Sequence, residues 1–281
     1  MTGKKKVALF DLDHTLIPID SDYEWGEFTI ALGWCDSTEF KRRNAEFFEH
    51  YRAGTLDIHE YVRFATEAIR KQGAINSGAG HERFMRDVAQ KAITKQALAL
   101  VDGHRAAGDE LVIVTATNEF VTRPIAEAFG VKELIAVELE RDAQGWLTGE
   151  IKGTPSAREG KVTRVEQWLA ARNLGWSDVE TTFYTDSMND IALLEKATHP
   201  VATNPDERLR ALATERGWRI LDLFKNDLYF RHIPVHLISG EENRLLAMQR
   251  GARSFHLKPL KSEALTILFD DIIEYNLVGA S

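Results

Sequence analysis

Val7-Ala8-Leu9-Phe10 is a short apolar run, and it ends in two carboxylates, Asp11 and Asp13, with Thr15 two residues further on. A continuous apolar run of this length, bounded by polar residues, reads as a buried strand. Strands buried on both faces belong to parallel sheets, and open parallel sheets bind ligands outside the carboxyl ends of their strands. The two acids therefore stand where such a sheet does chemistry. Taken alone, Asp11 and Asp13 fit the capping of a turn equally well.

Three further pieces follow in order. Leu111-Val112-Ile113-Val114 is a second buried strand, and it ends in the hydroxyls of Thr115 and Thr117. Lys161 opens a helical pattern after Arg158-Glu159-Gly160. Phe183-Tyr184-Thr185-Asp186-Ser187-Met188-Asn189-Asp190 is a strand running into an acidic cluster. Each has an ordinary alternative. Thr115 suits a buried strand end, Lys161 a solvated helix start, and Asp186 to Asp190 a helix N-terminus, where Ser, Asn and Asp are favoured caps. Their joint occurrence in this order resembles the haloacid dehalogenase superfamily of phosphatases over roughly residues 7–224, in the branch of phosphoserine and histidinol-phosphate phosphatases.

The resemblance implies an α/β fold. A Rossmann-like parallel-sheet core would span residues 1–17 and 77–224, with a helical cap over residues 18–76 inserted after the first strand. It also implies roles. Asp11 would attack phosphorus and form an aspartyl-phosphate. Asp13 would act as general acid and then base. Asp11, Asp186 and the backbone carbonyl of Asp13 would hold Mg²⁺. Thr115 and the Ala116 N–H would bind phosphoryl oxygens beside the Leu12 backbone. Lys161 would neutralise charge, with Asn189 and Asp190 holding it and metal-bound water in place. These residue types suit the reaction, because a phosphate dianion repels an attacking carboxylate unless positive charge is supplied.

Substrate choice is expected in the cap, where apolar residues recur at helical spacing over 23–32, 38–51 and 56–70. Gly33, Gly54 and the stretch from Gly73 to Gly80 punctuate these helices, and a further helical pattern runs over 84–100. Asp20 sits where phosphoserine phosphatases carry a glutamate for the substrate amine, so the resemblance points to an amine-bearing metabolite phosphate. The alternative is that Asp20 or Ser21 caps the helix starting near Tyr23. Arg52 is a candidate for a substrate carboxylate, with Arg42 and Arg43. Trp25 and Trp34 fit either the pocket or the core. A hairpin is expected over 138–152, turning at Asp142 to Gly145.

A net charge of −8 lacks the basic footprint of a general nucleic-acid binder. The single cysteine, Cys35, excludes an intramolecular disulfide. There is no run of about 18 apolar residues to span a membrane and no signal-peptide core after Lys4-Lys5-Lys6, so the chain is expected to be cytoplasmic. Residues 225–281 exceed the phosphatase pattern. Strand-like 233–240 and 254–260 alternate with helical 244–251 and 262–275. Ser239 and Lys258-Pro259 make this βαβα extension resemble the second half of a response-regulator receiver domain. A piece this short is marginal alone, so a role in self-association or stability is expected. The expected function is a Mg²⁺-dependent phosphomonoesterase acting on small molecules. The alternatives are a phosphate-sensing scaffold, a phosphotransferase and a lipid-phosphate phosphatase.

Overall fold

The computed structural model describes residues 3–53, 55–224, 236–239 and 254–257; for 51–53 and the last two stretches it describes backbone only. The chain divides into two compact units, Met1–Phe224 and Lys225–Ser281.

The first unit is built on a six-stranded parallel sheet. In chain order its strands are β1 (Lys5–Phe10), β2 (Glu110–Asn118), β3 (Glu133–Val137), β6 (Val179–Thr185), β7 (His199–Thr203) and β8 (Arg219–Leu221), and they lie in the order β3-β2-β1-β6-β7-β8. The α/β class expected from the sequence is the class observed. β1 is central, and the chain winds outward from it first to one side and then to the other. Such a reversal leaves a crevice at the carboxyl ends of β1 and β6. Alternation along β1 feeds two cores: Val7 and Leu9 pack on one face of the sheet, Ala8 and Phe10 on the other. Phe10 pairs with Ile113 of β2 and Tyr184 of β6, so Asp11 emerges between the ends of those two strands.

Helices α1 (Ser21–Ala31), α2 (Ser37–Ala53), α3 (Ile58–Ala65) and α4 (Glu67–Phe84) follow β1. Residue 76, the expected end of the cap, falls inside α4. The expected break from Gly73 to Gly80 is confined to Gly73, whose φ of 73° kinks the helix. Gly78 and Gly80 are helical. Packing decides this at Gly80, where a Cβ would lie 2.3 Å from the Trp34 ring. The helix expected over 84–100 divides into a π-helical turn (Met85–Ala89), a short α5 (Gln90–Ala92) and α6 (Lys95–Ala106). Ile93 turns extended, and the Thr94 hydroxyl caps α6 by accepting from the Ala97 N–H. Trp25 is a core residue. Its ring meets Phe28, Trp34, His81 and Phe84 at centroid distances of 5.3–6.1 Å.

After α7 (Glu119–Ala128), β4 (Leu139–Arg141) and β5 (Leu147–Ile151) form the expected antiparallel hairpin. It reaches the cap helices. Arg63 of α3 pairs with Glu150 at 3.0 Å, and the Trp146 indole donates to the Arg70 carbonyl at 3.5 Å. Helices α8 (Glu159–Ala170), α9 (Ile191–Lys196) and α10 (Glu207–Glu215) complete the unit. Among the described residues no helix is long and apolar enough to cross a membrane.

In the second unit, β9 (His236–Ser239) and β10 (Ser254–Leu257) pair in parallel, with His236 opposite Ser254. A parallel pair requires a crossover connection. The helices expected over 244–251 and 262–275, and Lys258-Pro259, lie outside the described residues.

Candidate active site

β1 delivers Asp11 with its backbone fixed, since its N–H donates to the Tyr184 carbonyl at 2.9 Å. One carboxylate oxygen accepts from Lys161 Nζ at 2.8 Å, and the other from the Thr185 hydroxyl at 3.3 Å. Lys161 also donates to Asp190 at 2.7 Å, and Thr185 donates to the same Asp190 oxygen at 2.7 Å. The lysine is 2 % exposed. Burial alone would lower its pKa, but Asp11 and Asp190 outweigh burial and raise it, so it stays charged. Burial pushes Asp11 up to about 6 against the pull of Lys161, and Asp190 adds to the rise.

Asp186 follows β6 and faces Asp11. The Thr15 hydroxyl donates to it at 2.9 Å and accepts its backbone N–H at 3.0 Å, which fastens the first motif to the last across 171 residues. Burial pushes the Asp186 carboxyl up to about 7, and the Asp11 charge raises it further. A half-buried carboxylate whose proton affinity is raised by the charge of a buried one makes a pair that a cation stabilises. The donor set suits Mg²⁺, which binds one or two carboxylates and completes an octahedron with water and phosphate oxygens. Among the described residues no group of three or more His, Cys, Asp or Glu side chains forms a closed cage.

Both side-chain oxygens of Asp13 are engaged away from that pair. One accepts from the Ser21 N–H at 2.8 Å, the other from the Thr117 hydroxyl at 2.9 Å. Burial, with the nearby Asp20 charge, holds the Asp13 carboxyl well above its ordinary range. A carboxyl whose proton affinity is raised gains as a general acid toward a leaving oxygen.

Thr115 is buried at the end of the apolar part of β2. Its hydroxyl oxygen accepts from the Thr117 N–H at 3.1 Å, which leaves the hydroxyl proton to be donated. Ser156 donates to its carbonyl at 2.7 Å and holds the strand end to the loop before α8. Ala116 is exposed at the same strand end. The Leu12 N–H bonds the Asp11 carboxyl and lowers its pKa. Asn189 lies half-buried in the turn between β6 and α9, its N–H donating to the Ser187 hydroxyl at 3.2 Å.

Two expected substrate residues fare differently. Asp20 is exposed and is the N-cap of α1, accepting from the Asp22 and Tyr23 N–H groups at 3.1 and 2.9 Å. The capping alternative is the geometry seen. Arg52 lies in α2, and its side chain is outside those described. Sequence reasoning gave no site role to Thr117, Ser21, Ser156 or Asp22. Thr117 carried a usable signal, a second hydroxyl two residues beyond Thr115. The others are defined only by tertiary contact.

Gly160, just before Lys161, allows α8 to start where it does. A Cβ there would lie 2.1 Å from the Pro155 carbonyl oxygen, a backbone atom with little freedom to move. Gly160→Ala is therefore expected to displace α8 and Lys161, at a cost of about 1–3 kcal/mol, the usual range for overpacking. Urea denaturation checks the cost, and an unchanged midpoint would refute the account.

Residues 8–195 match the haloacid dehalogenase-like hydrolase family, and the chain belongs to it. A histidinol-phosphatase of Neisseria meningitidis is 38% identical over 219 residues, covering 78% of this chain and 99% of that protein. A phosphoserine phosphatase of Mycobacterium tuberculosis is 30% identical, covering 76% of this chain and 70% of that protein. A solved Bordetella pertussis protein of unknown function superposes with a TM-score of 0.75 at 49% identity, covering 79% of this chain and all of that one. A substrate-bound phosphoserine phosphatase, with a TM-score of 0.54 at 19% identity, covers 78% of this chain and 93% of its own; this likeness extends to the fold.

Proposed function

We propose that the chain is a Mg²⁺-dependent phosphomonoesterase acting on a small, amine-bearing metabolite phosphate, of the histidinol phosphate or phosphoserine type. The observation that carries the reading is Asp11. It is a carboxylate at the switch point of the sheet, with a buried lysine on one oxygen and a second, half-buried carboxylate, Asp186, within the field of its charge. Asp11 attacks phosphorus, and the P–O bond to the substrate alcohol breaks. Asp13 gives its proton to the leaving oxygen. The resulting aspartyl-phosphate is hydrolysed when Asp13, now a carboxylate, takes a proton from water attacking phosphorus; Asp11 and inorganic phosphate are released. Lys161 offsets the phosphoryl charge, and the Thr115 hydroxyl donates to a phosphoryl oxygen. Asp11 and Asp186 would hold Mg²⁺, which supplies Lewis-acid stabilisation of the phosphoryl oxygens when bound.

The test is phosphate release from histidinol phosphate, phosphoserine, a sugar phosphate, a nucleotide and p-nitrophenyl phosphate. Chelation is expected to remove at least about 99% of turnover, since the metal supplies several kcal/mol of charge stabilisation; added Mg²⁺ restores it. Turnover indifferent to chelator, or a folded protein that releases no phosphate from any of them, would sink the reading.

A further inference from the structure

Thr117 carries a hydroxyl that the steps above do not use. It lies near the end of β2, where the strand departs from its ladder. Pairing with β1 ends at Ile113, opposite Phe10. Pairing with β3 runs to Val114, opposite Ile135, and resumes at Asn118, opposite Val137. Between those pairs Thr115, Ala116 and Thr117 stand against Ala136 alone. Bulges of this kind re-aim side chains beside active sites. Here the Thr117 hydroxyl reaches an Asp13 oxygen at 2.9 Å, across 104 residues of sequence.

The donor is held on both sides along the chain. The Thr117 N–H donates to the Thr115 hydroxyl at 3.1 Å, and Ser156 fastens the Thr115 carbonyl at 2.7 Å. The next residue, Asn118, is buried, and its amide oxygen caps α7 by accepting from the Val121 N–H at 3.2 Å. Threonine is also stiff about its first side-chain torsion. Asp13 needs such a fixed donor, because the torsion that sets the plane of a carboxyl is broad and roughly two-fold. Ser21 holds the group from the start of α1, its N–H on one oxygen at 2.8 Å and its hydroxyl directed at the same carboxyl. Anchors on one side leave the plane free to turn about them. Thr117 holds the other oxygen from β2, and anchors on two sides define the plane. These donors take up much of the about four lone-pair sites of a carboxylate, so the transferable proton has a defined direction.

We infer that Thr117 is a positioning residue for proton transfer, its hydroxyl setting the plane of the Asp13 carboxyl so that the proton points at the ester oxygen of the leaving alcohol. The inference rests on the phosphomonoesterase reading and assigns to Thr117 the orientation of its acid. The role is confined to esters whose leaving oxygen needs a proton. An alkoxide is too basic to leave unprotonated, whereas p-nitrophenolate leaves as the anion.

The experiment compares kcat/KM for an alkyl ester, the fastest among histidinol phosphate, phosphoserine and the sugar phosphate, with that for p-nitrophenyl phosphate. It does so, with Mg²⁺, on wild type, Thr117→Val, Thr117→Ser and Asp13→Asn. Because kcat/KM covers the steps up to release of the alcohol, hydrolysis of the aspartyl-phosphate does not enter. Thr117→Val keeps the shape and removes the hydroxyl. It is expected to lower kcat/KM for the alkyl ester by about 10- to 100-fold, a part of the roughly 10²- to 10⁴-fold that general acid catalysis supplies, while p-nitrophenyl phosphate stays within about threefold. Thr117→Ser is expected to bring the alkyl ester back to within about threefold of wild type. Asp13→Asn is expected to show the same selectivity with a larger loss. Equal losses on the two esters in Thr117→Val, no loss on either, or a loss that Thr117→Ser does not restore would each overturn the inference. Asp13→Asn that spares the alkyl ester leaves the phosphatase reading without its acid, and this inference falls with that acid. Wild type that hydrolyses no phosphomonoester overturns both readings. Should Thr117→Val not fold, Thr117→Ala is read by the same ratio of the two esters, and an unchanged ratio overturns the inference.

Discussion

Asp11→Asn folds as the wild type does and loses at least about 10⁴-fold in kcat, the scale seen when a nucleophile is removed from an intact site. The change is isosteric, and an amide oxygen still accepts from Lys161, whose Nζ lies 2.8 Å from Asp11. The amide has no charge to form a bond to phosphorus, so binding survives and bond making does not. Thermal denaturation separates this loss from misfolding. Burial already raises the Asp11 pKa to about 6, so removing its charge is expected to leave the melting temperature at or slightly above the wild-type value. A variant that kept a tenth of wild-type turnover would transfer the nucleophile's role elsewhere.

Lys161→Met loses activity and stability together. The lysine is a buried cation between two buried carboxylates, Asp11 and Asp190, at 2.8 and 2.7 Å. Removing one member of such a set leaves uncompensated charge in the interior, typically costing about 3–5 kcal/mol. The deficit should depend on pH with a definite sign. Without the lysine, which opposes the rise at Asp11, the native state binds a proton at Asp11 more readily than the unfolded chain does. Stability contributed by that proton binding is present at low pH and is lost as pH rises through the raised native pKa. The difference from wild type is therefore smaller near pH 5 than near pH 8. Urea midpoints at both values measure it. A deficit that grew towards pH 5 would mean that the lysine is held for another reason.

The parts of the candidate site legible in the sequence are those where an apolar strand pattern runs directly into polar residues. Asp11, Thr115 and Asp186 each follow an apolar strand, and parallel pairing brings the strand ends together. Lys161 lacks such a pattern and was legible only through its order among the other motifs. What escaped the sequence was set by tertiary contact. Asp20 and Asp22 are both acids at one helix start, and nothing local says which will cap the helix and which will turn toward α3; the Tyr61 phenol, 39 residues away, marks the difference. Gly78 and Gly80 look like breakers, yet Trp34 packs where a side chain at Gly80 would go and the helix runs on. Ser156 supports Thr115 across 41 residues, a link with no sequence periodicity.

The central position of β1 has a consequence for biosynthesis. The strand that carries Asp11 is made before either of its sheet neighbours, and one of them, β6, begins only at Val179. Domains form as their segments become available, so one edge of an apolar strand stays without its native partner while some 170 further residues are added. Exposed strand edges recruit foreign strands. Lys4, Lys5 and Lys6, with Asp11 and Asp13 at the other end, place charge on both sides of that run. The acids proposed for the reaction thus also stand where gatekeeper charges flank an apolar strand.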